Sequence, residues 1–166
     1  MSKNESTITA ARVRELLHYD PETGVFTWKV KHTTRSVPGM QPKAKDEMGY
    51  GLIVVDGFRL KTHRLAWLYV TGEWPKQSLD HMDGDPSNNR YANLRDIPQS
   101  HNTQNMRGAT KRSLSGFLGV SPHKARFRAR IRVNRKLIHL GAFATPEEAY
   151  SVYLEAKRKL HAGNTL

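Results

Sequence analysis

The sequence predicts an α+β fold divided into two small domains, and three observations carry that expectation. A chain of 166 residues builds either one medium core or two limited ones. Charge is unevenly spread: residues 111–166 hold 12 of the 27 Lys and Arg but only three of the 15 Asp and Glu. Between the two parts, RGATKRSLS (107–115) has small polar residues and no apolar periodicity, which is linker composition. The expected units are a domain at 1–107, a linker at 108–115 and a second domain at 116–163.

In chain order, TITAARVRELLH (7–18) spaces Ile8, Ala11, Leu16 and Leu17 for a short helix capped by Thr7 or Thr9. YDPETGVFTWKV places a turn before Val25, Phe26, Trp28 and Val30, which read as a strand, and residues 32–47, with Pro38, Gly39 and Pro42, read as an exposed loop. Asp56-Gly57 marks a hairpin turn between two apolar runs; a helix follows from about Thr62 to Val70 and stops at Thr71-Gly72. Ser100 is positioned to cap a further short helix carrying His101, Asn102 and Asn105. Trp28, Trp67 and Trp74 are expected in the core.

Past the linker the pattern changes. KARFRARIRV alternates strictly, with Phe127, Ala129, Ile131 and Val133 on one face and Arg126, Arg128, Arg130 and Arg132 on the other. Asn134-Arg135 turns the chain into a second strand, KLIHLGAF. The next helix has Thr145 as N-cap, Pro146 in first position and Glu148 closing a capping box. Its stripe of Ala149, Val152, Tyr153, Ala156 and Leu160 is expected to cover the apolar strand face and leave the arginines outside.

Those arginines repel one another, and no acid lies between Arg112 and Ala144 to offset them. DNA phosphates and guanine edges accept bidentate arginine contacts, so the ladder points to nucleic acid. The segment from SGFLGV through RFRARIRV, LGAF and TPEEAY to the closing Ala-x-x-x-Leu-His resembles the APETALA2/ethylene-response-factor DNA-binding domain over nearly its whole length. That resemblance implies a three-stranded antiparallel sheet packed on one helix, with Arg126, Arg128, Arg130 and Arg132 reading the major groove. Phe127 stands where that family often has tryptophan, on the packing face.

The most polar stretch is LDHMDGDPSNNRYANLRD (79–96), and five of the eight asparagines fall in residues 88–105. Such composition makes turns. It also supplies what phosphodiester hydrolysis needs: a base titrating near neutral pH, and oxygen donors that hold a cation beside the phosphate. A calcium loop starting at Asp83 fails at its twelfth position, Leu94, where a bidentate Glu is required. LDHMDGDPSNNRYANLRDIPQSHNTQN resembles the HNH nuclease motif of phage and homing endonucleases, and the preceding HRLAWLYVTGEWP and YDPETGVFTWK resemble what stands before it there. The resemblance implies a ββα-metal module in which His81 is the general base, Asp80 and Asn102 ligate the metal, and Asn93 fixes the loop and the histidine. Asp83 and Asp85 are left as turn residues. His101 is a rival ligand, and His63 is expected to be structural or phosphate-contacting. Asp and Asn oxygens favour Mg2+ or Mn2+ over zinc or nickel.

The resulting expectation is a DNA endonuclease targeted by its C-terminal domain, with duplex DNA as partner, one divalent ion, no small-molecule cofactor, and a monomeric or homodimeric state. A DNA-binding regulator with a decayed nuclease module is the alternative; RNA-binding and membrane-surface proteins are weaker ones. The absence of cysteine removes disulfides and thiolate zinc sites. No stretch approaches the roughly 20 apolar residues that span a bilayer, nor does the start of the chain read as a signal peptide. A soluble, cytoplasmic protein is expected, in a bacterial host cell if the chain is of phage origin.

Overall fold

The fold is that of a computed structural model, which describes residues 7–34, 36–99, 108–109 and 113–161. The chain separates into two compact units, Met1–Pro98 and Gln99–Leu166.

In the first unit, α1 (Ala10–Leu16) begins at Thr9, whose hydroxyl accepts the Arg12 N–H at 3.2 Å. The helix stops at Leu16, before the expected end at residue 18. Leu17 already has extended backbone and opens β1 (Leu17–Asp20), because Leu17 and Tyr19 bury against the core while His18 points outward. β1 pairs antiparallel with β2 (Val25–Trp28) across a turn through Gly24. Within the expected loop, Ala44–Lys45 forms a short edge strand, β3, on the sheet of β4 (Gly51–Val55) and β5 (Phe58–Lys61). The β4–β5 turn uses Asp56 (φ 48°) and Gly57 (φ 84°), the left-handed pair of a type I′ hairpin. From β5 the chain enters α2 (Thr62–Thr71), which ends on left-handed Gly72. A third pair, β6 (Ser78–His81) and β7 (Leu94–Ile97), is antiparallel. Val13, Leu16, Phe26, Ile53, Leu65, Leu68, Leu79 and Leu94 form one core beneath these elements, with Trp28 and Trp74 buried and Trp67 packed against it.

The second unit holds β8 (Val120–His123), β9 (Arg126–Val133) and β10 (Lys136–Phe143) as an antiparallel sheet with β9 in the centre. Asn134 and Arg135, both at positive φ, make the β9–β10 turn. α3 (Pro146–Leu160) starts at Thr145, whose hydroxyl accepts the Glu148 N–H at 3.2 Å; the Glu148 carboxylate in turn accepts the Ala144 N–H at 3.2 Å. Its buried line is Ala149, Tyr153 and Lys157, spaced by four. Leu160, expected on that stripe, is instead 43% exposed, because i+4 steps from Ala149 reach Lys157 and pass it by. Ala129 and Ile131 pack under this line. Gly119 (φ +74°) admits the Tyr153 ring, which a Cβ there would meet at 2.2 Å.

Candidate active site

The polar stretch is a strand, a hydrogen-bonded loop ending in a 3-10 turn at Tyr91–Asn93, and a returning strand. Asp80 lies opposite Arg95, and His81 opposite Leu94. Met82 N–H closes the loop on Asn93 O at 2.9 Å. Inside it, Asn93 Oδ1 accepts the Asp83 N–H at 3.1 Å, while Nδ2 donates to Asp83 Oδ1 and Asn88 O, both at 2.9 Å. Asn88 Nδ2 donates to the other Asp83 oxygen at 2.6 Å, and Asp85 Oδ1 accepts both the N–H and the hydroxyl of Ser87 at 2.8 Å. Partial burial pushes the Asp83 carboxyl up, yet donation from the Asp85 N–H and the two amides holds it below its ordinary range. The Ser87 donors do the same for Asp85. Both acids are tied into the turn.

The β1–β2 hairpin supports this loop from behind. Tyr19 OH donates to Asn89 O at 2.7 Å, and Tyr91 N–H to Pro21 O at 3.2 Å. A Cβ on Gly24 (φ +74°) would stand 2.5 Å from Asn89 C and Arg90 N. Gly24→Ala is therefore expected to cost about 2–4 kcal/mol, from the positive φ and the backbone clash together. A urea midpoint equal to that of the parent would contradict this.

His81, 4% exposed, closes β6 with Nε2 3.2 Å from Asn89 Oδ1. The Asn89 amide is oriented independently, since its Nδ2 donates to Ser87 O at 3.1 Å. Its oxygen therefore faces the ring, an arrangement that calls for the His81 proton on Nε2. Asp80, 7% exposed, receives both Arg95 Nε (2.9 Å) and Nη2 (2.8 Å) on Oδ2. Two further rings stand against His81: His63 at 5.0 Å and Tyr50 at 5.9 Å between centroids. Burial pushes the Tyr50 hydroxyl up, and the charges of Asp46 and Asp80 add to it.

His63 is 5% exposed in the first turn of α2, and its buried Nδ1 has no hydrogen-bond partner among the described residues. Burial lowers its pKa from 6.5 to about 3, with the charges of His81, Lys61 and Arg64 acting the same way. The folded chain thus keeps this imidazole neutral where an unfolded one gains a proton. Stability is untouched by His63 above pH 6.5 and falls as the pH drops from there toward 3, by on the order of a few kcal/mol. His63→Phe is expected to flatten that decline in urea denaturation measured across this range; a decline as steep as the parent's would refute the assignment.

Of the residues singled out from sequence, Asp80 and His81 are the last two residues of β6, and both are buried. Asn93 bonds to the loop, and the side chain that meets His81 is Asn89. Arg95 and Tyr50 were also missed; only the β6–β7 register and the packing of β4 bring them to the site. Asn102 and His101 lie outside the described residues. Among the described residues no three His, Cys, Asp or Glu gather to hold a metal, and no helix is long and apolar enough to cross a membrane.

On the second unit, Arg126, Arg128, Arg130 and Arg132 alternate with the buried Ala129 and Ile131. Across the same face, Arg128 Nη2 meets His123 Nδ1 at 2.9 Å, Arg130 Nη2 donates to Ser121 Oγ at 3.3 Å, and Arg126 Nη1 donates to Ala142 O at 3.5 Å. Among the described residues no carboxylate pairs with any of the four. The arrangement is a cationic sheet face partly held in place by neutral neighbours.

No curated protein matches the chain. A solved structure titled "DNA binding and cleavage by the HNH homing endonuclease I-HmuI" is 25% identical, with a TM-score of 0.40, and the match covers 54% of this chain and 50% of that one. The chain thus spans half the length of that structure. Residues 60–104 match the family model described as HNH endonuclease. That range contains His63, Asp80, His81, Asn89, Asn93 and Arg95, so the loop and the buried Asp80 and His81 lie within the segment that is similar to HNH endonucleases.

Proposed function

We propose that the chain is a divalent-metal-dependent DNA endonuclease. In this reading its first unit hydrolyses a phosphodiester bond, and its second, which resembles an APETALA2-type domain, grips duplex DNA through the arginine face. The observation that carries the reading is the buried His81 inside the HNH match, its tautomer set by Asn89.

His81 Nδ1 takes a proton from water, the resulting hydroxide attacks phosphorus, and the 3′ oxygen leaves. Asn89 keeps the other ring nitrogen protonated, so the basic nitrogen does not alternate between two positions. Asn93 holds Asp83 and Asn88 in a fixed loop that seats Asn89. Asp80 offers a hard oxygen donor of the kind Mg2+ or Mn2+ takes, and Asn102 is the proposed second ligand, with His101 its rival. A bound ion would offset the negative charge developing on the leaving oxygen. Tethering the two units raises the concentration of the cutting site at bound DNA. One such site per chain cuts one strand at a time, so a double-strand break takes a dimer or two successive nicks.

Supercoiled plasmid incubated with the protein is expected to become nicked circles with Mg2+ or Mn2+ and to stay supercoiled with EDTA. DNA retention with no nicking under either ion would overturn the reading in favour of a DNA-binding regulator.

A further inference from the structure

We infer that His63, together with Tyr50, is a positioning residue for the base: the two rings form a wall that fixes the ring plane of His81. This rests on the reading of His81 as the base. Three residues far apart in sequence make a closed triangle of rings, with centroids 5.0 Å (His63–His81), 5.2 Å (Tyr50–His63) and 5.9 Å (Tyr50–His81) apart. These are distances at which aromatic rings hold edge and tilted geometries, and His63 meets His81 at 68°.

Each wall residue is itself immobilised. Tyr50 N–H donates to Asp46 Oδ1 at 3.0 Å, and Lys61 Nζ lies 4.0 Å from the Tyr50 ring centroid while pairing with Asp46 at 3.5 Å. His63 is set by the first turn of α2. The approach of that turn to β4 depends on Gly51, where a Cβ would come 2.6 Å from Thr62 Oγ1. Tyr50 and His63, neighbours of this contact in sequence, are thereby brought face to face.

The Asn89 contact at Nε2 fixes one atom of the imidazole, and a hydrogen bond at one atom does not by itself set the ring plane. The wall removes this freedom. With Asn89 on one nitrogen and rings against its sides, His81 holds Nδ1 in one direction, and a base aimed correctly before substrate arrives avoids the reorientation that slows proton transfer.

The comparison that tests this is His63→Leu against His63→Phe. Both remove the Nδ1 that has no partner among the described residues, so neither leaves it as a buried polar orphan, and they differ in supplying a flat ring. Single-turnover cleavage is measured at saturating DNA, with the DNA dissociation constant and the imidazole 15N shifts of His81 in the same proteins. His63→Leu is expected to slow the chemical step about tenfold to a hundredfold with DNA affinity unchanged, and to move the His81 shifts from one tautomer toward a mixture. His63→Phe is expected to recover most of the rate and the single tautomer. Full rate in His63→Leu overturns the proposal. Equal slowing in both variants overturns it too, because the imidazole nitrogen rather than the ring would then be needed. His81→Ala separates the two readings: undiminished cleavage there removes the base itself, whereas lost cleavage with a fully active His63→Leu removes only the wall.

Discussion

His81→Ala is expected to lower cleavage by roughly a hundredfold to ten-thousandfold, the span that a positioned general base contributes, while the protein still retards duplex DNA in a gel. The side chain meets the Asn89 amide at 3.2 Å. That amide keeps its second anchor on Ser87 O, and Asn93, Asp83 and Asn88 still close the turn without the imidazole. The arginine face belongs to the other compact unit, so DNA retention should persist, and a urea midpoint near the parent's is the control that a misfolded first unit would fail. Cleavage by the variant at the parental rate would remove His81 from the mechanism. Asn89→Ala should lie between the two: the base remains, but its proton is free to occupy either nitrogen, so part of the population presents the wrong atom to water.

Local signals in the sequence anticipated the elements they mark. Thr9, Asp56-Gly57, Gly72 and Thr145-Pro146 each act within a few residues of themselves, and the structure places a cap or turn at every one. The alternation in RFRARIRV anticipated the burial of Ala129 and Ile131 and the exposure of Arg126 and Arg132, whereas Arg128 and Arg130, expected outside, are half-buried like Phe127 and Val133. Leu17 was harder to read, because the chain passes from α1 into β1 with no Gly or Pro between them, and two consecutive leucines satisfy a helical stripe as well as a strand. Lys157 was missed for a related reason: the stripe was judged by side-chain type, whereas its place one turn after Tyr153 puts it under the sheet. The site shows the same division. Asp80 and His81 were legible as candidates, but the Asn89 contact depends on the amide's anchor at Ser87, Arg95 on the strand register, and the Tyr50–His63 ring contact on a glycine in β4. None of these relations has a one-dimensional signature.

Replacing both Arg128 and Arg130 with alanine is expected to weaken duplex DNA binding by about tenfold to a hundredfold at low salt, and to reduce the slope of log K against log salt by about one to two. These two are the preorganised members of the ladder, steadied by His123 and Ser121, so less side-chain entropy is lost when they meet phosphate or a base edge. Arg126 and Arg132 are exposed and should contribute less each. Folding should survive the double change, because the buried face of β9 is made by Ala129 and Ile131, and removing Arg128 also removes a buried Nε that has no partner among the described residues. The salt slope then identifies what the arginines touch. A reduced slope with sequence preference intact places them on phosphates, whereas an unchanged slope with lost preference places them on base edges. Affinity, slope and preference all equal to the parent's would show that the cationic face of the second unit is not the surface that holds DNA.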